Sequence, residues 1–258
     1  MSHKLNAILE RLTNEYVNNN NNSIEEEEAE QEYECKLCKD TEWLFYFDKD
    51  GKEFWKHCQC RERKTALRLM ANSGISEEDT KKGFKDFNTF DEQGLIIAKN
   101  TSIKYFKDFE EIRGSRHNSI LLSGASGRGK TTLGMAIANN LMQKCVGVRY
   151  MPYRDEVTRL KQEVTDEYTY TEHINKLKTA KVLFIDDLLK GKITESDVNV
   201  IYEIINYRYL ERLPIIVSTE KLVNELLDFD EAIGSRLLEM CKGYVVTFSK
   251  DIPNYRMR

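Results

Sequence analysis

A glycine-rich segment, GASGRGKT at residues 124–131, constrains the fold of this 258-residue chain more than any other stretch. It matches the pattern G-x-x-x-x-G-K-[S/T], follows the apolar run SILLS, and precedes the helix-like run TLGMAIANNLM. In such a strand–loop–helix context, backbone N–H groups turn inward around a polyphosphate at a helix N-terminus. The segment, called the P-loop below, therefore predicts a nucleotide-phosphate site beside a sheet.

Two side chains of the P-loop have distinct expected roles. Lys130 is expected to contact the β- and γ-phosphates, and Thr131 to offer its hydroxyl to Mg²⁺. ATP and Mg²⁺ are therefore the expected cofactors. The predicted nucleotide-binding residues are Gly124, Ala125, Ser126, Gly127, Arg128, Gly129, Lys130, Thr131 and Thr132.

The apolar run KVLFIDD, residues 181–187, predicts a second strand that carries two carboxylates to the phosphates. Asp186, at its carboxyl end, is expected to hold the Mg²⁺ hydration shell together with Thr131. Asp187 is the candidate that orients or deprotonates the attacking water. The alternative for Asp187 is a helix N-cap or a solvated acid.

A third apolar run, PIIVSTE at residues 214–220, also ends in polar side chains. If this strand lies between the other two, Ser218 or Thr219 would reach the γ-phosphate or the attacking water, because the carboxyl ends of parallel strands share one edge of a sheet. An ordinary polar strand end is the alternative interpretation.

From residue 84 onwards, short apolar runs alternate with helix-like stretches. This alternation is typical of an α/β fold with a mostly parallel sheet covered on both faces. The runs predicted to be strands are SILLSG, VRYMP, KVLFIDD, PIIVST and GYVVTF.

Four cysteines flank an aromatic-rich segment near the N-terminus, as CKLC at 35–38 and CQC at 58–60. Two aromatic runs joined through DKDG predict a β-hairpin that brings the two pairs together. Four thiolates satisfy the tetrahedral preference of structural Zn²⁺. The predicted zinc ligands are Cys35, Cys38, Cys58 and Cys60. His57 in place of Cys58, or four reduced cysteines without metal, are the alternatives.

Composition divides the chain into three parts. The runs NNNNNS and EEEE cannot bury a core, so residues 1–32 are expected to be an N-terminal helix and a flexible tether. Residues 33–75 are expected to form the zinc-binding hairpin and a linker helix that ends at Gly74. Residues 76–258 are expected to form the nucleotide-binding domain.

Charge and hydropathy exclude several classes of protein. The net charge of −4 gives no global basic field, so DNA contacts are expected from local patches or from an assembled ring of subunits. The N-terminus lacks the apolar run of a signal peptide, and no segment is long and apolar enough to span a bilayer. A cytoplasmic protein with no membrane partner is expected, with Cys145 and Cys241 as buried packing residues.

The cysteine unit followed by ANSGI, together with GASGRGKTTLGMAIAN, VLFIDDL and DEAIGSRLLEMC, resembles the AAA+ ATPases, specifically the DnaC/DnaI-type replicative helicase loaders. The likeness covers roughly residues 33–258. The phosphate motifs alone occur in many families, whereas their combination with a zinc knuckle and SRLLEMC is more specific. The resemblance implies an AAA+ P-loop NTPase fold, with a five-stranded parallel sheet in the order 5-1-4-3-2 and a small N-terminal zinc-binding domain.

The resemblance also implies partners: a DnaB-type replicative helicase bound through the N-terminal region, single-stranded DNA, and further copies of the chain. Arg236 in GSRL matches the arginine finger, which would reach the γ-phosphate held by a neighbouring subunit. The segment between the second and third strands matches a helical insertion that meets DNA, although an ordinary amphipathic helix is the alternative. Its candidate DNA-binding residues are Tyr153, Arg154, Arg159 and Lys161.

Three departures from the family pattern modify these expectations. Asp187 stands where many AAA+ proteins have the longer glutamate, which predicts slow, switch-like hydrolysis stimulated by oligomerisation or DNA. Glu220 occupies the place of the usual sensor asparagine. The chain has no room for a full helical lid after the last strand, so Arg256 is the candidate substitute for the lid arginine.

The function predicted from the sequence is ATP-dependent loading of a hexameric replicative helicase onto single-stranded DNA in bacterial or phage replication. An IstB-type transposition helper ATPase is the alternative, because its nucleotide-binding body would be similar. A small-molecule kinase, or an adaptor that binds ATP without hydrolysing it, would represent a different class.

Overall fold

The computed structural model describes residues 33–47, 49–58, 60–72, 76, 78–252 and 254–257, with the backbone alone at 62, 66, 69–72, 79 and 256. The predicted N-terminal helix and tether and the predicted C-cap Gly74 lie outside these residues. Residues 33–41 belong to one compact unit and residues 42–258 to another. Among the described helices, none combines the length and apolarity that crossing a lipid bilayer requires.

The first unit contains a tight turn closed by its own side chains and backbone. The Asp40 carboxylate accepts hydrogen bonds from the N–H groups of Glu34 and Cys35, both at 3.0 Å. The Thr41 N–H donates to the Cys38 carbonyl at 3.1 Å. These bonds fix the two cysteines of the first pair on one turn.

The second unit begins with the predicted β-hairpin. Strands β1 (Trp43–Phe47) and β2 (Glu53–His57) pair in antiparallel fashion, with Phe45 opposite Trp55. The two runs of aromatic residues favour extended backbone, which explains why strands form on either side of the turn. Helix α1 (Cys60–Asn72) follows, starting at the last cysteine of the second pair.

Five strands form the main sheet, in the order β4-β5-β6-β3-β7 with all neighbours parallel. If these strands are counted one to five along the chain, this is the order 5-1-4-3-2, and the predicted fold class is confirmed. Because β3 lies between β6 and β7, the P-loop at its end lies between the ends of these two strands. The strands are β3 (Ile120–Gly124), β4 (Val148–Pro152), β5 (Val182–Leu188), β6 (Ile215–Thr219) and β7 (Val245–Phe248).

Helices cover both faces of this sheet. The predicted insertion between β4 and β5 is two helices, α4 and α5, because the Asp166 side chain accepts a hydrogen bond from the Thr169 N–H (3.2 Å) and starts a new helix. The helices are α2 (Gln93–Ile112), α3 (Lys130–Gln143), α4 (Tyr153–Glu163), α5 (Glu167–Thr179), α6 (Glu195–Leu210), α7 (Val223–Phe229) and α8 (Glu231–Met240). Single 3₁₀ turns lie at Asp79–Lys81, Phe84–Asp86 and Tyr255–Met257.

The core consists of two apolar clusters, one on each face of the sheet. Because successive side chains of a strand point to opposite faces, Leu122 joins the cluster under α2 and α3, whereas Leu121 joins the cluster under α4, α5, α6 and α8. Both faces are buried, which explains the continuous apolar runs of the sequence. Cys241 is fully buried as predicted, whereas Cys145 is only partly buried.

Candidate nucleotide-binding site

The P-loop joins β3 to α3 through a backbone with positive φ at its glycines. The φ angles are 129° at Gly124, 72° at Gly127 and 87° at Gly129. Gly129 is the N-cap of α3 in the left-handed conformation, which residues with a Cβ rarely adopt. The first N–H groups of a helix have no intrahelical acceptor, so the start of α3 provides the donors and the positive dipole end that phosphates require.

A cleft opens at this helix start, and we call it the phosphate cleft. Lys130 is 4% exposed, and its Nζ donates to the Ala125 carbonyl at 2.8 Å. Burial lowers the pKa of Lys130, although the carboxylates of Glu220 and Asp187 oppose that shift. A bound polyphosphate would stabilise this buried ammonium group further. The cleft is lined by Ser126, Gly127, Gly129, Lys130, Thr131, Thr132, Asp187, Lys190 and Tyr255.

Asp186 connects the P-loop to the neighbouring strands through three hydroxyl groups. Its Oδ1 accepts from Thr131 Oγ1 at 2.9 Å and from Ser218 Oγ, and its Oδ2 accepts from the Tyr150 hydroxyl at 2.9 Å. Burial raises the pKa of Asp186 even though the three hydrogen bonds favour the ionised form. Adjacent carboxylate and hydroxyl oxygens suit Mg²⁺, so Thr131 and Asp186 fit the predicted metal role.

Ser218 links the two aspartates of β5. Besides donating to Asp186, its Oγ accepts a hydrogen bond from the Asp187 N–H at 2.8 Å. The hydroxyl of Thr219 donates to the Leu188 carbonyl at 2.8 Å, so it holds β6 against β5. Neither Ser218 nor Thr219 lines the phosphate cleft, and their contact with a γ-phosphate stays a prediction.

Two charged residues lie beside the cleft in positions that the sequence did not explain. The Lys190 ammonium group lies 2.7 Å from Asp187 Oδ2 and 3.3 Å from Glu220 Oε1. Its hydrogen bond with Asp187 is the main cause that raises the pKa of Lys190. Burial opposes ionisation of Glu220, but hydrogen bonds with Ser126 and Lys190 hold the pKa of Glu220 below its usual range. The available signal was a lysine three residues after the Asp186-Asp187 pair.

The C-terminal 3₁₀ turn packs on the P-loop. The Tyr255 N–H donates to the Gly127 carbonyl at 2.7 Å, and the Tyr255 ring stacks on Phe87 with centroids 5.0 Å apart. The Tyr255 hydroxyl also accepts from the Asn88 N–H at 3.0 Å. No local sequence pattern predicts this contact, because these residues are distant along the chain. The side chain of Arg256 lies outside the described part of the structure.

The segment that follows β7 also positions Arg128 of the P-loop. The Arg128 guanidinium donates to the Lys250 carbonyl at 3.1 Å, and Thr132 follows Thr131 in the first turn of α3. The P-loop is therefore fastened on one side to β5 through Asp186 and on the other to the chain after β7.

The four cysteines predicted to bind zinc lie close together. Their sulfur atoms are all within 4.8 Å of one another, and a tetrahedral Zn²⁺ with Zn–S distances of about 2.3 Å requires sulfurs about 3.8 Å apart. The group consists of Cys35, Cys38, Cys58 and Cys60, and it could hold a metal ion. His57 is not part of this group, and its ring packs on Trp43 with centroids 3.9 Å apart.

Comparison with known proteins agrees with this geometry. The family model described as "IstB-like ATP binding protein" matches residues 62–242. Phage-like element PBSX protein XkdC of Bacillus subtilis (strain 168) is 38% identical over 221 residues, which cover 83% of this chain and 82% of XkdC. This chain belongs to the IstB/DnaC-like family of AAA+ ATPases.

Solved structures show that the fold of this IstB/DnaC-like protein recurs in replication proteins. The match to the crystal structure of DnaI has a TM-score of 0.56 at 23% identity, and it covers 67% of this chain and 94% of the DnaI chain. The crystal structure of the DnaC helicase loader has a TM-score of 0.54 at 19% identity and covers 67% of this chain and 100% of its own. At these identities the likeness concerns the fold.

In this IstB/DnaC-like protein, Arg236 is held on the surface of α8 by α6. Its Nε donates to Asn206 Oδ1 at 3.1 Å, and its Nη1 donates to the Ala232 carbonyl at 2.8 Å. The guanidinium carbon lies 5.3 Å from the Tyr202 ring centroid and 5.6 Å from that of Tyr209. Arg236 is not among the residues that line the chain's own phosphate cleft.

The candidate DNA-binding residues on α4 differ in their surroundings. Tyr153 is 3% exposed and packs in the core, so its ring offers no aromatic surface for stacking on a base. Lys161 pairs with Asp197 at 2.8 Å at the start of α6. Arg159 forms an exposed ion pair with Glu163 in its own helix. Arg154 is exposed and lies against the loop that follows β5.

Proposed function

We propose that this IstB/DnaC-like ATPase hydrolyses ATP to ADP and phosphate, and that its nucleotide state controls the loading of a hexameric DnaB-type helicase onto single-stranded DNA. The observation that carries the ATPase part is the hydrogen bond between Thr131 and Asp186 beside the buried Lys130 ammonium group. This bond brings together the two residues that would bind Mg²⁺, and Lys130 beside them would supply the cation for the β- and γ-phosphates.

Hydrolysis needs a group that orients a water for attack on the γ-phosphorus, in line with the leaving ADP, and Asp187 is the candidate at this cleft. Its carboxylate is held by Lys190 at 2.7 Å. While this ion pair is in place, the carboxylate is not free to orient water, and aspartate also reaches less far than glutamate. Both features support slow hydrolysis that is completed only when the protein assembles.

Assembly supplies the remaining cation in this proposal. Arg236 is displayed on α8 by two tyrosines and an asparagine of α6, and it is absent from the lining of its own cleft. This placement favours a role in trans at the γ-phosphate of a neighbouring subunit, which stabilises the charge of the transition state. Stimulation by oligomerisation follows, because an isolated chain lacks this guanidinium.

The cysteine unit and the α4–α5 segment are the proposed partner surfaces. We assign residues 33–75 to a zinc-binding docking region for the helicase, preceded by the N-terminal segment 1–32. Residues 76–258 are then the ATPase domain. Arg154 and Arg159 are the exposed cations of α4 that remain suited to phosphate contacts with single-stranded DNA.

The loader function is favoured over a transposition helper by the similar proteins. XkdC belongs to a phage-like element, and the two similar crystal structures are those of DnaI and the DnaC helicase loader. A transposition helper would share the ATPase body but would have no evident need for a cysteine-rich docking region. Remodelling of duplex DNA together with a transposase, without binding to the helicase, would support the transposition helper instead.

The proposal is tested by loading the cognate replicative helicase onto circular single-stranded DNA with the full chain and ATP. The chain and the helicase are expected to co-elute, and the helicase is expected to remain bound to the closed circles of single-stranded DNA. Lys130→Ala is the matched control, because it removes the phosphate cation and should abolish the ATP-dependent step. ATP hydrolysis without any association with the helicase would reject loading and leave the ATPase assignment standing.

A further inference from the structure

Lys190 is a second cation in the phosphate cleft, and none of the nucleotide motifs accounts for it. Among the described residues that line the cleft, the other cation is Lys130, on the P-loop side. Lys190 lies on the loop after β5. Asp187 within β5, and Leu189 and Gly191 on the loop, have positive φ angles of 55°, 59° and 86°, and Lys190 on this loop lines the cleft.

The contacts of Lys190 are of a kind that another anion can replace. Its side chain is 42% exposed, and its partners Asp187 and Glu220 are 34% and 36% exposed. Ion pairs at such exposure contribute little stability and are readily exchanged. A phosphate oxygen with a formal charge offers the same ammonium group a charge-assisted hydrogen bond.

The balance of charge at the cleft favours this exchange when a triphosphate binds. Asp186, Asp187 and Glu220 provide three carboxylates near the cleft, against the two ammonium groups of Lys130 and Lys190. The terminal phosphate of a nucleoside triphosphate adds negative charge that a diphosphate does not bring. Lys130 and Mg²⁺ balance only part of this charge, and Lys190 is the further cation already beside Asp187.

We infer that Lys190 binds the terminal phosphate of the nucleoside triphosphate and exchanges its ion pairs with Asp187 and Glu220 to do so. This inference rests on the proposed nucleotide-binding function. In the diphosphate state Lys190 remains with the two carboxylates. In the triphosphate state the Asp187 carboxylate is released to accept a hydrogen bond from water. Glu220, held by the Ser126 hydroxyl, is the anion that competes with the phosphate for Lys190.

The test measures the affinities of the full chain for ATP and for ADP by calorimetry, with Mg²⁺ present. Lys190→Met keeps most of the apolar stem and removes the charge. It should weaken ATP binding about tenfold, the value of one charge-assisted hydrogen bond, and leave ADP binding unchanged. Lys190→Arg should retain the preference for ATP. Lys192→Met, two residues further along the exposed chain, is the matched control and should behave as wild type.

Glu220→Gln removes the charge of the competing anion, so its expected effect on ATP affinity is opposite to that of Lys190→Met. It should tighten ATP binding and leave ADP binding unchanged, because Lys190 loses one of its two anionic partners. In the Lys190→Met background the same substitution should have no effect on the ratio of the two affinities. If Glu220→Gln tightens ATP binding equally in both backgrounds, Glu220 repels phosphate directly and the exchange is wrong.

The outcomes separate this inference from the proposed function. Equal weakening of ATP and ADP by Lys190→Met, or no weakening of either, would overturn the role of Lys190 while nucleotide binding stands. Failure of the wild-type chain to bind nucleotide, or binding that survives Lys130→Ala, would overturn the proposed function itself. Far-ultraviolet circular dichroism of each variant verifies that it is folded.

Discussion

Replacing Ser218 with alanine removes the hydroxyl that joins the two aspartates of β5. Ser218 is fully buried, donates to Asp186 and accepts from the Asp187 N–H at 2.8 Å. The variant leaves that N–H without this acceptor and deprives a buried carboxylate of one of three hydroxyl donors. A buried unsatisfied donor costs about 1–3 kcal/mol, and a hydrogen bond to a charged group contributes about 1.5–3 kcal/mol. Because these two contributions belong to one hydroxyl and do not add fully, we expect the free energy of unfolding to fall by about 2.5–4 kcal/mol.

The same substitution should alter the metal dependence of nucleotide binding. Burial already raises the pKa of Asp186, and loss of a donor to the ionised form raises it further. Protons and Mg²⁺ compete for this carboxylate, so Ser218→Ala should require more Mg²⁺ for ATP binding, and increasingly so as the pH falls. Urea unfolding followed by circular dichroism measures the stability, and calorimetric ATP titrations at several Mg²⁺ concentrations measure the metal dependence.

Ser119 provides a matched control at the other end of the sheet. It is also fully buried, donates to Asn118 Oδ1 and accepts from the Ile215 N–H, both at 2.9 Å. Ser119→Ala should also lower stability, somewhat less than Ser218→Ala because Ser119 donates to a neutral amide oxygen, and it should leave the Mg²⁺ requirement unchanged. The reasoning is refuted if Ser218→Ala unfolds like wild type, or if both variants show the same Mg²⁺ requirement.

Three further predictions concern other parts of the molecule. His173 contacts Glu163 through Nδ1 and Glu156 through Nε2, both at 2.7 Å, and the hydrogen bond with Glu156 is the main cause that raises the pKa of His173. The stabilisation by protonated His173 is therefore full below the unfolded pKa of about 6.5 and is lost as the pH rises through the higher folded value. His173→Gln should remove this pH-dependent part of the stability from thermal unfolding curves, and an unchanged pH dependence would contradict the prediction. Arg236→Ala should keep ATP affinity but reduce phosphate release by the assembled protein to the rate of the dispersed chain; equal stimulation of variant and wild type would exclude a role in trans. Cys58→Ser should lower the zinc content measured by metal analysis and the melting temperature, and a full zinc content would count against Cys58 as a ligand.

The parts of the site that the sequence predicts are those encoded by contiguous residues. The P-loop needs glycines at fixed offsets, and Gly129 indeed caps α3 in a left-handed conformation. The aspartates of β5 could be assigned to the carboxyl end of a strand, because a buried parallel strand appears in the sequence as an apolar run and acidic residues mark where this run ends. Strand order, by contrast, came from the family resemblance, since local patterns do not define which strands are neighbours.

Contacts between distant segments were not predictable from local patterns. Tyr150 precedes the end of β4 by two residues, and nothing in VRYMP distinguishes a hydroxyl that reaches Asp186 from an ordinary strand tyrosine. The charged neighbours of Tyr153 favour a contact with DNA, but the first turn of α4 directs its ring into the core. Register and helix rotation decide such cases, and both depend on tertiary packing.

The contact between Arg154 and Gly191 shows how one such tertiary contact links two proposed functions. Gly191 has φ of 86°, and a Cβ on it would collide with Nη1 of Arg154. A glycine is therefore required both by the left-handed turn and by the approach of the guanidinium group. Lys190 is the residue immediately before Gly191, and its side chain lines the phosphate cleft. The arginine proposed to contact DNA and the lysine proposed to bind the terminal phosphate therefore meet at one loop.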